Sequence, residues 1–298
     1  SSEPKVSELS AQSDPQVEID RLDTGMKRAI GNQVDILSPD NFAQAKRARD
    51  DAMASRADNG KQGKVLHQIS LAWAYLERAN GVAAVANQIL PGPIDARRDA
   101  IAAQADSLFR KETDSIDNDL RQVTKRIEKN DTSVSDDKKI SLEANYRDIE
   151  MKALKQTYLG EAQQTLKMAT DEGAEKLTPE TLSWATTRIL SAESTVEKNR
   201  HSIAVLTQAS TDAKESANRL LKMVRDAKGS KSMRPEDYAK KVESNEKAEA
   251  QSDKNLTQAS TDLALSQGRL ANATARNVRL ESEVALDREF ESARRQFG

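Results

Sequence analysis

The chain has 298 residues, 46 basic and 48 acidic, and no cysteine. Lack of Cys excludes disulfides, thiol catalysis and cysteine-ligated metals. The balanced charge supplies neither a basic field for nucleic acid nor a polybasic run for anionic lipid. Aromatics make up 3% of residues, Gly and Pro number 11 and 7, and Ala, Leu and charged residues dominate, a composition of long helices that bury narrow seams rather than a thick core. No stretch approaches the roughly 18 consecutive apolar residues that span a membrane.

Residues 1–13 are polar and aperiodic and read as a flexible leader. A first helix is predicted from Pro15 to about Ile36 and a second from Ser38-Pro39-Asp40 to about Ala57, with Ser38 as its N-cap and Pro39 at its first position. Asn59-Gly60 marks a break. The third helix, 62–90, is the most apolar, with Val65, Leu66, Ile69, Leu76, Ala79 and Ile89, and Pro91-Gly92-Pro93 ends it. A fourth helix is predicted over 93–129, a polar turn follows, and a fifth helix covers about 135–175.

The pattern then returns. Leu177-Thr178-Pro179-Glu180 repeats Leu37-Ser38-Pro39-Asp40 at an offset of 140 residues, and at the same offset Ala45, Ala52, Asn59, Val65-Leu66, Gln68 and Ser70 meet identical residues. This implies two tandem related helical units, 14–130 and 140–298, joined by a connecting turn at 131–139. A second duplication is sharper: Leu206-Thr-Gln-Ala-Ser-Thr-Asp212 recurs as Leu256-Thr-Gln-Ala-Ser-Thr-Asp262, and Ser216, Arg219 and Leu220 recur as Ser266, Arg269 and Leu270. The polar residues in these copies have no evident reason to be kept. The last segment has heptad character, with Leu256, Leu263, Leu270 and Val284 on the a ladder, interrupted by Asn277, and Ala259, Ser266, Ala273 and Leu280 on the d ladder. A helix from Pro235 to Phe297 would be a rod of roughly 90 Å, and at that length its seam must pack on earlier helices or on another chain. The fold class expected is all-α: an elongated bundle of long antiparallel helices with coiled-coil character.

No residue set points to catalysis, so the chain is expected to be non-enzymatic, with no cofactor and no metal site. His67 and His201 lack metal-ligand spacing, and Gly60-Lys-Gln-Gly63-Lys64 lacks both the first glycine of a phosphate loop and a preceding strand. Trp73 and Trp184 are the candidate partner-binding residues, although packing in a core is the commoner fate of a tryptophan.

The run Glu161-Ala162, Leu166, Ala169, Gly173-Ala174, Leu177-Thr178-Pro179-Glu180, Leu182 and Ala185 resembles the alanine-rich helical repeat of bacterial envelope lipoproteins and OmpA-family proteins. Val34-Asp35-Ile36-Leu37-Ser38-Pro39-Asp40-Asn41-Phe42 is similar to the same motif. Phe290–Gly298 is similar to the linker leading into an OmpA-like peptidoglycan-binding domain, and Ser1-Ser2-Glu3-Pro4 to the tether after a lipidated cysteine. The resemblance implies a periplasmic, outer-membrane-associated helical region in a Gram-negative bacterium. It would be a spacer or scaffold between outer membrane and peptidoglycan, with envelope proteins or peptidoglycan as partners and the membrane reached through a lipid anchor. A lipidated Cys is then expected before Ser1 and an OmpA-like domain after Gly298. The competing expectation is a protein-binding adaptor or chaperone-like clamp that holds a client in grooves between helices, and an intracellular coiled-coil regulator is a third. An exposed apolar groove would favour the clamp, and closed seams would favour the spacer.

Overall fold

A computed structural model describes residues 3–230 and 235–297. Ser1, Ser2 and Gly298, the outer ends of the two stretches similar to a lipoprotein tether and an OmpA linker, lie outside the described residues. The fold is all-α. The helices are α1 (Pro15–Gly31), α2 (Val34–Leu37), α3 (Pro39–Ala57), α4 (Gln62–Ile89), α5 (Pro91–Ala102), α6 (Ala105–Leu108), α7 (Arg110–Glu128), α8 (Asp136–Asp171), α9 (Ala174–Leu177), α10 (Pro179–Lys198), α11 (Ile203–Ser230) and α12 (Pro235–Phe297). The chain divides into two compact units, Ser1–Ala153 and Leu154–Gly298.

Three helices expected to run on are broken, each in the same way. At Gln33, Gln104 and Gly173 the backbone turns left-handed, with φ of 63°, 63° and 103°. A four-residue helical turn follows (α2, α6 or α9), then a residue with φ between −133° and −145° (Ser38, Phe109 or Thr178), then a new helix. The left-handed residues lie 71 and 69 residues apart, so the 140-residue offset spans two shorter intervals. Each new helix gives out near an asparagine 26 residues beyond the break, at Asn59, Asn130 and Asn199. A left-handed glutamine costs roughly 1–2 kcal/mol. At Gln33 this is offset by a buried side chain whose Nε2 donates to the Ile94 carbonyl and whose Oε1 accepts from Arg97.

The first unit has a continuous core that the composition did not lead us to expect. Ile19, Leu22, Ile36, Ile69, Leu120 and Tyr146 are among its fully buried side chains, and it extends from α1 to the first half of α8. Alanine makes this possible. Ala45, Ala48 and Ala52 of α3 and Ala72, Ala79 and Ala83 of α4 are all buried where the two helices pack as a hairpin, leaving the larger side chains to fill the space between layers. Ser38 does not cap α3 with its own side chain. Its hydroxyl donates to Glu128 of α7 at 2.6 Å, and that carboxylate accepts from the α3 backbone N–H groups of Asp40 and Asn41 at 3.0 and 2.9 Å. A carboxylate at a helix N-terminus also complements the helix dipole.

The polar start of the chain carries no helix, yet it is tied to α4. The Leu9 amide donates to Ser70 Oγ at 3.0 Å, Glu8 meets His67 at 2.6 Å, and Gln62 donates to the Ala11 and Ser13 carbonyls. In the second unit α10 and α11 form the main hairpin, closed at one end by a small core of Ala169, Ala174, Ala185, Leu220 and Val224. Helix α12 runs antiparallel to α11. Lys222 of α11 reaches the Asn245 carbonyl and Glu249, Asp226 accepts from Asn245, and Thr207 lies by Gln267.

Candidate functional site

A buried polar cluster lies where the first left-handed turn meets α5, α7 and α8. Arg97 grips Asp117 with two parallel bonds of 2.8 and 2.9 Å, and the Tyr146 hydroxyl donates to the same carboxylate at 2.7 Å. Burial, reinforced by the neighbouring Asp117 carboxylate, pushes the Tyr146 phenol far up. Burial works against the charge of Arg97, but its bonds to Asp117 outweigh that and keep it protonated. Burial also raises the carboxyl of nearby Asp35, against the pull of Arg97. Arg97, Asp117, Tyr146 and Gln33 already have their partners, and the cluster's chemistry is that of a lock joining the turn before α2 to α5, α7 and α8.

The two tryptophans go separate ways. Trp73 packs against the first core, its indole seated on Gly25 of α1 so closely that a Cβ there would lie 2.7 Å from the ring. Packing accounts for it. Trp184 does not follow the core reading: it is 41% exposed on α10. Arg219 reaches over from α11 to within 5.3 Å of its ring centroid, and Arg188, one turn along α10, lies at 6.0 Å. Such cation–π contacts hold an exposed indole in place. Next to it is a shallow groove of about 360 Å³ between α10 and α11, lined by Arg188, Ala192, Thr195, Val205, Gln208 and Asp212 among others. The sequence held a signal for the outward position of Trp184. At the 140-residue offset it aligns with Gln44, which is also exposed.

A further surface is α12. From Leu263 onward its ladder is open: Leu263, Leu270, Leu280 and Val284 are all exposed, Leu270 at 68%. The expectation that the seam packs on earlier helices therefore holds for its first turns alone, where Asn245, Glu249 and Leu256 are half-buried. Leu263 and Leu270 are thus not buried within one chain: at their level α12 turns Gln267, not the ladder, toward Thr207 near the start of α11.

Comparison with protein-family models, with curated proteins and with solved structures finds no match to this chain.

Proposed function

We propose that the chain is a non-enzymatic spacer or scaffold of the bacterial periplasm, bridging outer membrane and peptidoglycan and offering helix faces to other proteins. The observation that carries this reading is the length of α12, 63 residues of continuous helix. A continuous helix holds its ends apart at about 1.5 Å per residue, where a disordered linker of that length collapses to a coil. Two further features support it. A left-handed break accompanies both stretches that carry the lipoprotein-like motif, at Gln33 and Gly173, and the buried Asp117 of the first unit is engaged in a structural pair with Arg97.

The test is location and length. The native gene product should fractionate with the outer membrane and incorporate labelled fatty acid, and deleting one whole helical unit, residues 14–130, should impair envelope integrity while charge substitutions on exposed helix faces should not. Recovery in the cytosol without lipid would overturn the reading. The adaptor reading is favoured by one feature, the groove beside Trp184. On that reading Trp184→Ala removes binding of the client with the chain's length intact, and on the spacer reading it leaves envelope integrity untouched.

A further inference from the structure

The duplicated heptapeptide shows what the open face of α12 is built for. In α11, Leu206, Ala209, Ala213, Ser216 and Leu220 occupy successive a and d positions, and all five are buried. Helix α10, with Ala185, Ile189, Ala192 and Val196 buried on its own inner face, covers them. The α12 counterparts are Leu256, Ala259, Leu263, Ser266 and Leu270. They match residue for residue except that Leu263 stands where α11 has Ala213, yet all but Leu256 are exposed. A face that is a helix-packing seam in one copy is the same seam, uncovered, in the other.

We propose that this seam is covered by a second copy of the same chain, α12 against α12, parallel and in register. The charges flanking the ladder identify the occupant. With Leu263 and Leu270 at a, the e positions further along include Glu281 and Arg288 and the g positions include Arg276 and Glu283. In a parallel pair each g residue meets the e residue five places on in the other helix. Arg276 then faces Glu281 of the second copy and Glu283 faces Arg288, with both contacts repeated by symmetry. All four are attractive. Asn277, the one polar a residue between Leu263 and Val284, meets itself in this register, and a single asparagine at a fixes register and pair number in such coils. An antiparallel pair would set Asn277 against an apolar d residue. Small residues at d, Ser266 and Ala273, allow close approach. The seam closes at Asp287, which takes the next d position. The inference does not depend on the envelope reading.

Sedimentation equilibrium of the full chain should give a dimer at concentrations up to about 100 μM. Leu263→Asp together with Leu270→Asp should give a monomer of unchanged helix content. Arg276→Glu with Arg288→Glu should weaken the dimer at least about tenfold, as should Glu281→Arg with Glu283→Arg, because each pair of changes makes all four contacts repulsive. Mixing the two variants should restore a heterodimer. The chain has no cysteine, so Ala273→Cys places a single thiol at d, where the parallel register brings Cα atoms within disulfide reach, and mild oxidation should yield a covalent dimer. A monomer at about 100 μM, a dimer that survives the double aspartate change, a failure of the charge-swapped variants to pair, or a dimer in which the Ala273→Cys variant does not cross-link would each overturn the proposal. The last would indicate an antiparallel or shifted pair.

Discussion

The same seven residues, Leu-Thr-Gln-Ala-Ser-Thr-Asp, occur in α11 and in α12 and meet opposite environments. In α11 Leu206, Thr207, Ala209 and Ser210 are buried, and Thr207 satisfies its hydroxyl on the Ile203 carbonyl one turn back. In α12 the matching Thr257 makes the same bond to Asp253 while exposed. The local hydrogen bonds are thus a property of the sequence, and burial is a property of what lies alongside. Small polar residues suit the buried copy: Ser, Thr and Ala let helices approach, and a hydroxyl bonded within its own helix costs little to bury. Helix propensity makes the rod, and a neighbour decides whether its seam is used.

The largest expected effect comes from charging the seam in each copy. Leu220→Asp buries a carboxylate in the core beside Ala174 and Val224 and should cost at least about 4 kcal/mol. Leu270→Asp, its counterpart in the duplication, should cost the isolated chain under about 0.5 kcal/mol. Denaturation of dilute protein, followed by hydrogen exchange of α11, separates the two. Equal losses would mean that the intrachain packing of α12 is misjudged.

A comparably large effect is expected in the first unit. Asp117→Ala leaves Arg97 buried without its carboxylate and takes the acceptor from Tyr146, for a loss of about 3 kcal/mol in denaturant unfolding. Exposed pairs such as Arg98–Asp95 should give under about 1 kcal/mol when removed.

The a position where the two copies differ sharpens the comparison. Ala213 is fully buried against its neighbours, and its counterpart in α12 is Leu263. Ala213→Leu should overpack the α10–α11 seam and cost about 1–3 kcal/mol, whereas Leu263→Ala should leave the fold of a single chain unchanged by the same denaturation measurement.

The smallest effect concerns the contact between α11 and α12. Burial, with Asp253 of α12 and Asp212 adding to it, raises the Glu215 carboxyl above its ordinary value. The folded form therefore binds this proton more readily than the unfolded one. Its contribution to stability should fall as pH rises from the ordinary glutamate value through the raised one, and should recover on acidification. Glu215→Gln should abolish that dependence and change stability at neutral pH by under about 0.5 kcal/mol, the group being mostly solvated. A pH series of denaturation midpoints for the two proteins checks it.

The helix boundaries that carry a proline or an asparagine could be read from the sequence: prolines at 39, 91, 179 and 235 open helices, and Asn59, Asn130 and Asn199 lie where helices close. The left-handed breaks at Gln33 and Gln104 could not, since glutamine carries no turn signal and the compensation at Gln33 comes from Arg97, 64 residues away. The N-terminal capping of α3 was half legible: Ser38 marks the position, but the capping carboxylate belongs to Glu128, placed there by tertiary packing. The continuous first core was hidden by average composition, which mixes an apolar α4 with the polar α12. Of the two tryptophans, periodicity on its own helix separates neither, and only alignment with Gln44 sets Trp184 outside.

Spin labels would test the uncovered seam most directly. Ala264 and Val278 are exposed, lie just outside the ladder and can each be replaced singly by a labelled cysteine in this cysteine-free chain. Two parallel helices packed about 8–10 Å apart should give both samples the same short label-to-label distance, about 15–30 Å, by dipolar electron resonance. The absence of any dipolar coupling, or a short distance from one label paired with a distance from the other longer by tens of ångströms, would contradict the account.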